Sequence, residues 1–123
     1  MADGFMKSIQ REILLGFWKI HILHHAVKGP VVGQWMLTEL RHHGYEVSPG
    51  TLYHLLHRME RLGWLRSETD SSAGPKARRS FYATKLGRDV LSIALTQMAE
   101  IRAETSAHRG TKPRKEGGRV ART

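Results

Sequence analysis

Apolar and polar positions alternate along the chain in a way that predicts four helical stretches and two strand-like ones. Over residues 5–27 apolar side chains recur at helical spacing: Ile9, Ile13, Leu14, Phe17 and Ile20, then Ile22, Leu23 and Ala26. They cover too wide an arc for one core-facing stripe, so this helix, or pair of helices, should bury two faces, one in its own domain and one against a partner subunit. "VKGP" at 27–30 ends it with glycine and proline. A second helix is predicted over 32–43 with Trp35, Met36 and Leu40 inward, stopping at Gly44.

The cleanest pattern follows. Ser48 is placed to cap a helix, Pro49 suits its first turn, and Leu52, Leu55, Leu56, Met59 and Leu62 then form one continuous stripe before Gly63. Thr51, His54, His57, Arg58 and Arg61 fall on the opposite face, with Tyr53 at its border. "WLRSET" at 64–69 and "RRSFYAT" at 79–84 read as strands, and the turn-rich "DSSAGPKA" between them makes a hairpin with a basic tip. Thr84 caps a last helix over 85–107, with Leu86, Val90, Leu91, Ala94, Leu95, Met98 and Ile101 apolar.

Composition narrows the chemistry. At 123 residues the chain is one domain's worth, with room for a single site. A formal net charge of +9 favours a polyanionic partner. From His108 onward six Lys/Arg face Glu116 alone, a composition that cannot bury enough apolar surface to fold, so 108–123 reads as a disordered basic arm. Without cysteine there is no thiolate zinc site and no thiol catalysis, and neither a glycine-rich phosphate loop after a strand nor a Ser/His/Asp pattern offers an enzyme site. No segment approaches the ~20 apolar residues of a membrane span, and the N-terminus lacks a cleavable leader pattern. A non-enzymatic, cytoplasmic protein without a membrane partner or cofactor is expected.

Helix, helix, helix and basic hairpin, in that order, make a mainly α winged helix-turn-helix with a small β-hairpin wing. The third helix would enter the DNA major groove and present its charged face to bases and phosphates. Here the sequence resembles the PadR-like transcriptional regulators. "VSPGTLYHLLHRMERLGWL" at 47–65 is similar to their recognition-helix signature, "GPVVGQWMLTEL" to their second helix and "RRSFYATKLGRDVL" to their wing strand and C-terminal helix. Two positions depart: Gln34 and Phe81 stand where the family usually has tyrosine.

The resemblance implies a homodimeric repressor that binds a pseudo-palindromic operator in double-stranded DNA and is released by a signal, often a small aromatic effector. It divides the chain into a winged-helix domain at 1–84, a dimerisation helix at 85–107 and the basic tail. Transferred by position, Ser48, Pro49, Gly50, Thr51 and Tyr53, then His57, Arg58 and Arg61 on the helix, match the family's DNA-binding motif, with Lys76, Arg78 and Arg79 on the wing; His54, on the same outer face, is a DNA-binding candidate because its ring can donate or accept. Trp18, on a helix expected to face the dimer, is the candidate to stack on an effector, although all three tryptophans also suit a core.

Two alternatives stand beside this one. His21, His24 and His25 at i, i+3, i+4, and His54 with His57 at i, i+3, have the spacing of a metal-responsive regulator, but neither group brings an obvious carboxylate or thiolate, so no metal site is assigned. A winged helix can also serve as a protein-interaction or general nucleic-acid module without operator specificity.

Overall fold

A computed structural model describes residues 2–70, 74 and 78–109. Lys76 and most of the basic arm therefore lie outside the described residues. The chain enters as α1 (Ala2–Ile9), passes through a wider π-helical turn at Gln10–Leu14 and continues as α2 (Leu15–Lys28). A two-residue strand β1 (Val31–Val32) precedes α3 (Gly33–His42) and α4 (Pro49–Arg61). Strands β2 (Leu65–Thr69) and β3 (Arg79–Ala83) form the hairpin, and α5 (Lys85–Arg109) is the last described element.

The chain divides into two compact units, Met1–Ser92 and Ile93–Thr123, with the boundary inside α5. In the first unit the core takes Trp18, Ile22, Leu23 and Ala26 from α2, Met36, Leu37 and Leu40 from α3, and Leu52, Leu55, Leu56 and Met59 from α4. Val31, Leu65 and Phe81 close it from the sheet, and Leu91 from the start of α5. Among the described residues every fully buried side chain is apolar, and each leucine or methionine so covered contributes about 1.5–3 kcal/mol.

The sheet is antiparallel in the order β1-β3-β2. Val31 pairs with Phe81 and Val32 with Ser80, which makes the hairpin strand β3 the centre of a three-stranded sheet with β1 and β2 at its edges. This corrects the prediction that a helix starts at residue 32: Val32 is extended, at φ −103° and ψ 136°, and the helix begins one residue later. Trp35 is also corrected. The inward face of α3 is Gly33, Met36, Leu37 and Leu40, the i, i+3, i+4, i+7 set, and this turns Trp35 outward, 49% exposed with its ring edge-on to His25. Trp64 is half-buried and Leu62, at the end of the α4 stripe, is only partly covered.

Thr84 joins hairpin to helix. Its hydroxyl donates to the Gly63 carbonyl at 2.6 Å and accepts from the Gly87 N–H at 3.0 Å, while its own N–H donates to the Trp64 carbonyl. A Cβ on Gly87 would collide with that Trp64 carbonyl, so the close approach of α5 to the α4–β2 corner requires glycine there.

Candidate nucleic-acid interface

The α3–α4 connection fixes the attitude of the charged helix. Gly44, at φ +89°, ends α3 in a left-handed conformation that suits glycine. The Tyr45 N–H then returns to the Leu40 carbonyl. Arg41 donates through Nε and Nη2 to the Val47 carbonyl, both at 3.2 Å, clamping the turn to the last turn of α3. Ser48 caps α4 as expected: its Oγ accepts from the Thr51 N–H at 3.1 Å and donates to Thr51 Oγ1 at 3.0 Å. The Ser48 and Thr51 hydroxyls are thus engaged with each other in the cap.

With the leucine stripe buried, Gly50, Tyr53, His54, Arg58 and Arg61 are left on the exposed side of α4. The helix's single carboxylate, Glu60, accepts from Ser67 Oγ at 2.6 Å, so it ties α4 to β2 and leaves the face to the cations. On the hairpin, Arg66 is taken up by Glu68 at 2.6 Å and by the Tyr82 ring at 4.3 Å. Arg58, Arg61, Arg78 and Arg79 enter no ion pair among the described residues.

The structure brings some of the candidate residues together and separates others. Tyr53, 39% exposed, lies over Gly33, where an added Cβ would come within 2.6 Å of its ring. Tyr53, Arg78 and Arg79 share a cleft of about 400 Å³ with Gln34 at the start of α3. Gly50, Thr51 and His54 line a different cleft, at the amino end of α4. His57, predicted on the outer face, is half-buried with its ring edge-on to Phe81 at 6.4 Å, in the seam between α4 and β3. Trp18, the candidate for stacking on an effector, is 1% exposed and packs near the Tyr45 ring; its place is in the core.

The histidines assemble across helices in a way their spacing along one helix did not reveal. Glu39 Oε2 of α3 lies 3.2 Å from His43 Nε2 and 3.7 Å from His25 Nε2 of α2. The His21 ring stands 5.2 Å from that of His43, and its Nε2 is 3.2 Å from Tyr45 Oη. Burial, then the neighbouring His43, His25 and His24, hold His21 below its ordinary range against the opposing pull of Glu39. Burial and then His24 lower His25, again against Glu39. Although Glu39 is a carboxylate overlooked in the sequence, no group of three or more His, Cys, Asp or Glu among the described residues has a geometry that could hold a metal ion.

A capped helix with one cationic face, a preceding helix clamped to it and a basic hairpin beside it form a winged helix-turn-helix. Residues 22–93, more than half of the chain, match the model of the transcriptional regulator PadR-like family. The chain belongs to the PadR-like family of transcriptional regulators. A relative, the transcriptional regulator Rv3488 of Mycobacterium tuberculosis, is 43% identical over 99 residues, spanning 80% of this chain and 88% of that protein. The crystal structure of a PadR family transcriptional regulator from Eggerthella lenta superposes with a TM-score of 0.71 at 27% identity, covering 90% of this chain and 97% of the other. A PadR family regulator from Clostridium difficile shares the fold, with a TM-score of 0.68 at 22% identity over 76% of this chain and 99% of that one. PadR-like proteins are regulators of transcription rather than enzymes, which accords with the absence of a catalytic pattern in the sequence. None of the described helices is long and apolar enough to cross a membrane.

Proposed function

We propose that this PadR-like regulator is a cytoplasmic, homodimeric repressor that binds a pseudo-palindromic operator and leaves it on a small-molecule or other signal. The observation that carries this reading is the charge arrangement: Arg58 and Arg61 stand on the exposed side of α4, Arg78 and Arg79 stand at the loop end of the hairpin, and none is held by a carboxylate among the described residues. In the major groove, α4 would offer Arg58 and Arg61 to guanine edges or phosphates, with His54 and Tyr53 alongside. The hairpin, with Lys76, Arg78 and Arg79, would reach the flanking backbone or minor groove, and the basic arm would add sequence-independent affinity.

Dimerisation is supported by apolar surface that each unit leaves open. In the first unit Phe5, Met6, Ile13 and Phe17 are exposed on α1, the π-helical turn and α2; in the second Ile93, Leu95, Met98 and Ile101 are exposed on α5. A second copy covering such faces would set two recognition helices about 34 Å apart, one turn of DNA. The domain organisation follows the same reading, with DNA binding at 1–84, dimerisation at 85–107 and the arm beyond.

The test is a gel shift on the promoter beside the protein's own gene, with native and scrambled duplexes at two salt concentrations. The native duplex should bind preferentially, and Arg58→Ala or Arg61→Ala should each cost about 1–3 kcal/mol where the side chain reads a base. Equal, salt-sensitive binding to both duplexes would overturn operator specificity and leave a general nucleic-acid module.

A further inference from the structure

The cleft at the amino end of α4 is shared with the N-terminal segment. Lys7 of α1 and Arg11 of the π-helical turn line it opposite Gly50, Thr51 and His54, and it has a volume of about 400 Å³. The wider winding at Gln10–Leu14 departs from the regular α-helical register, and across this junction Lys7 and Arg11, four residues apart, both border the same opening. Both are exposed, neither enters an ion pair among the described residues, and no carboxylate is among the residues that line the cleft. Two uncompensated cations so placed form a local positive potential beside the charged face of α4.

We infer that Lys7 and Arg11 bind phosphate: together with the start of α4 they hold the DNA backbone at the edge of the groove that α4 enters. The N-terminal segment thereby acquires a role beyond its apolar residues. Ile13 and Phe17 leave a hydrophobic surface open, while Lys7 and Arg11 add a second row of backbone anchors to those of the hairpin. A lysine and an arginine suit this use because phosphate oxygens accept from either, and such interactions position a protein without reading sequence. This inference rests on the proposed binding of duplex DNA.

Phosphate binding is independent of sequence, so the probe is a duplex of arbitrary sequence, roughly 30 base pairs long, three turns of DNA. Binding by the full chain is followed by fluorescence anisotropy between about 50 and 200 mM salt. For Lys7→Ala/Arg11→Ala the expected result is affinity about tenfold weaker at the upper salt concentration and a log–log salt slope smaller by about 2, one unit for each phosphate that is no longer neutralised. The charge-preserving Lys7→Arg/Arg11→Lys should keep the wild-type slope. An unchanged slope in the alanine variant overturns the inference, and so does weaker affinity with the slope intact, which would mark an effect on fold or assembly. A charge-preserving variant as weak as the alanine one overturns it as well. A wild-type chain that binds no duplex would instead sink the proposed function.

Discussion

Helices α4 and α5 carry the same kind of apolar stripe and meet different fates. On α4 the stripe is covered by the chain itself: Leu52, Leu55, Leu56 and Met59 are all buried, while Tyr53, His54, Arg58 and Arg61 are turned outward. On α5 Leu91 is the one buried apolar side chain among the described residues, while Leu86, Ile93, Leu95, Met98 and Ile101 remain exposed. Periodicity therefore identifies the face that needs cover without saying what supplies it. For α4 the cover lies within one chain and orients a functional face. For α5 the repeat continues past residue 92 with its larger apolar side chains uncovered, as a seam for a second copy would require.

The sharpest way to break this comparison is to damage the covered stripe. Leu56→Ala removes a fully buried side chain at the centre of the first unit and should lower stability by about 3 kcal/mol, within the usual span of about 2–5 for such truncations. Urea denaturation gives the value directly. A loss below about 1 kcal/mol would mean that α4 is less well seated than its burial indicates.

The uncovered stripe should respond differently. Ile101→Glu alters a side chain exposed in the single chain, so it should leave the fold of the first unit intact while placing a carboxylate in the proposed seam. The expected cost is about 2 kcal/mol of association, roughly thirtyfold in the dimer dissociation constant, read by sedimentation equilibrium. The wild-type melting temperature should also rise with protein concentration, and the variant should lessen that rise. A variant that dimerises as tightly as the wild type would remove α5 from the interface.

The same distinction separates what was legible in the sequence from what was not. Elements defined by neighbours along the chain were readable: the Ser48 cap and Pro49, the four-residue core of the α4 stripe, and both hairpin strands to within one residue. Pairings across the chain were not. β1 is two residues long and exists because Phe81 and Ser80, some fifty positions on, pair with it; nothing local marks Val31–Val32 as a strand. Trp35 has the size of a core residue, yet the facing set on α3 is completed by Gly33 and Leu37. His57 lies at the border of its helix face, where Phe81 decides its burial. Glu39 meets His43 four residues on, but it reaches His25 only once α2 and α3 are packed side by side. The positively charged face of α4 was visible in the pattern; Lys7 and Arg11 were not, because their relation to Gly50 and His54 exists only in the folded chain.

The smallest expected effect is one of pH, and it probes the covered region again. His21 and His25 sit on α2, where burial first and neighbouring histidines second lower their proton affinity. Their folded values lie below the unfolded one of about 6.5, so the unfolded chain binds more protons as the solution is acidified. Their contribution to stability is therefore complete above about pH 6.5 and is lost as pH falls through the folded values. Glu39 works against this by favouring the protonated imidazoles of His21 and His25, and partial exposure screens every one of these interactions, so the net change should be a drop of a few degrees in melting temperature between about pH 7 and 5. His21→Gln removes one of the two titrating groups and should shrink that drop. A melting temperature that rises on acidification would mean that the attraction of Glu39 for His21 and His25 outweighs burial, and an unchanged pH dependence in His21→Gln would mean that His21 titrates no differently in the folded and unfolded chain. With Ile101→Glu as background the pH effect should persist, because it originates in the α2–α3 seam and not in the exposed stripe of α5.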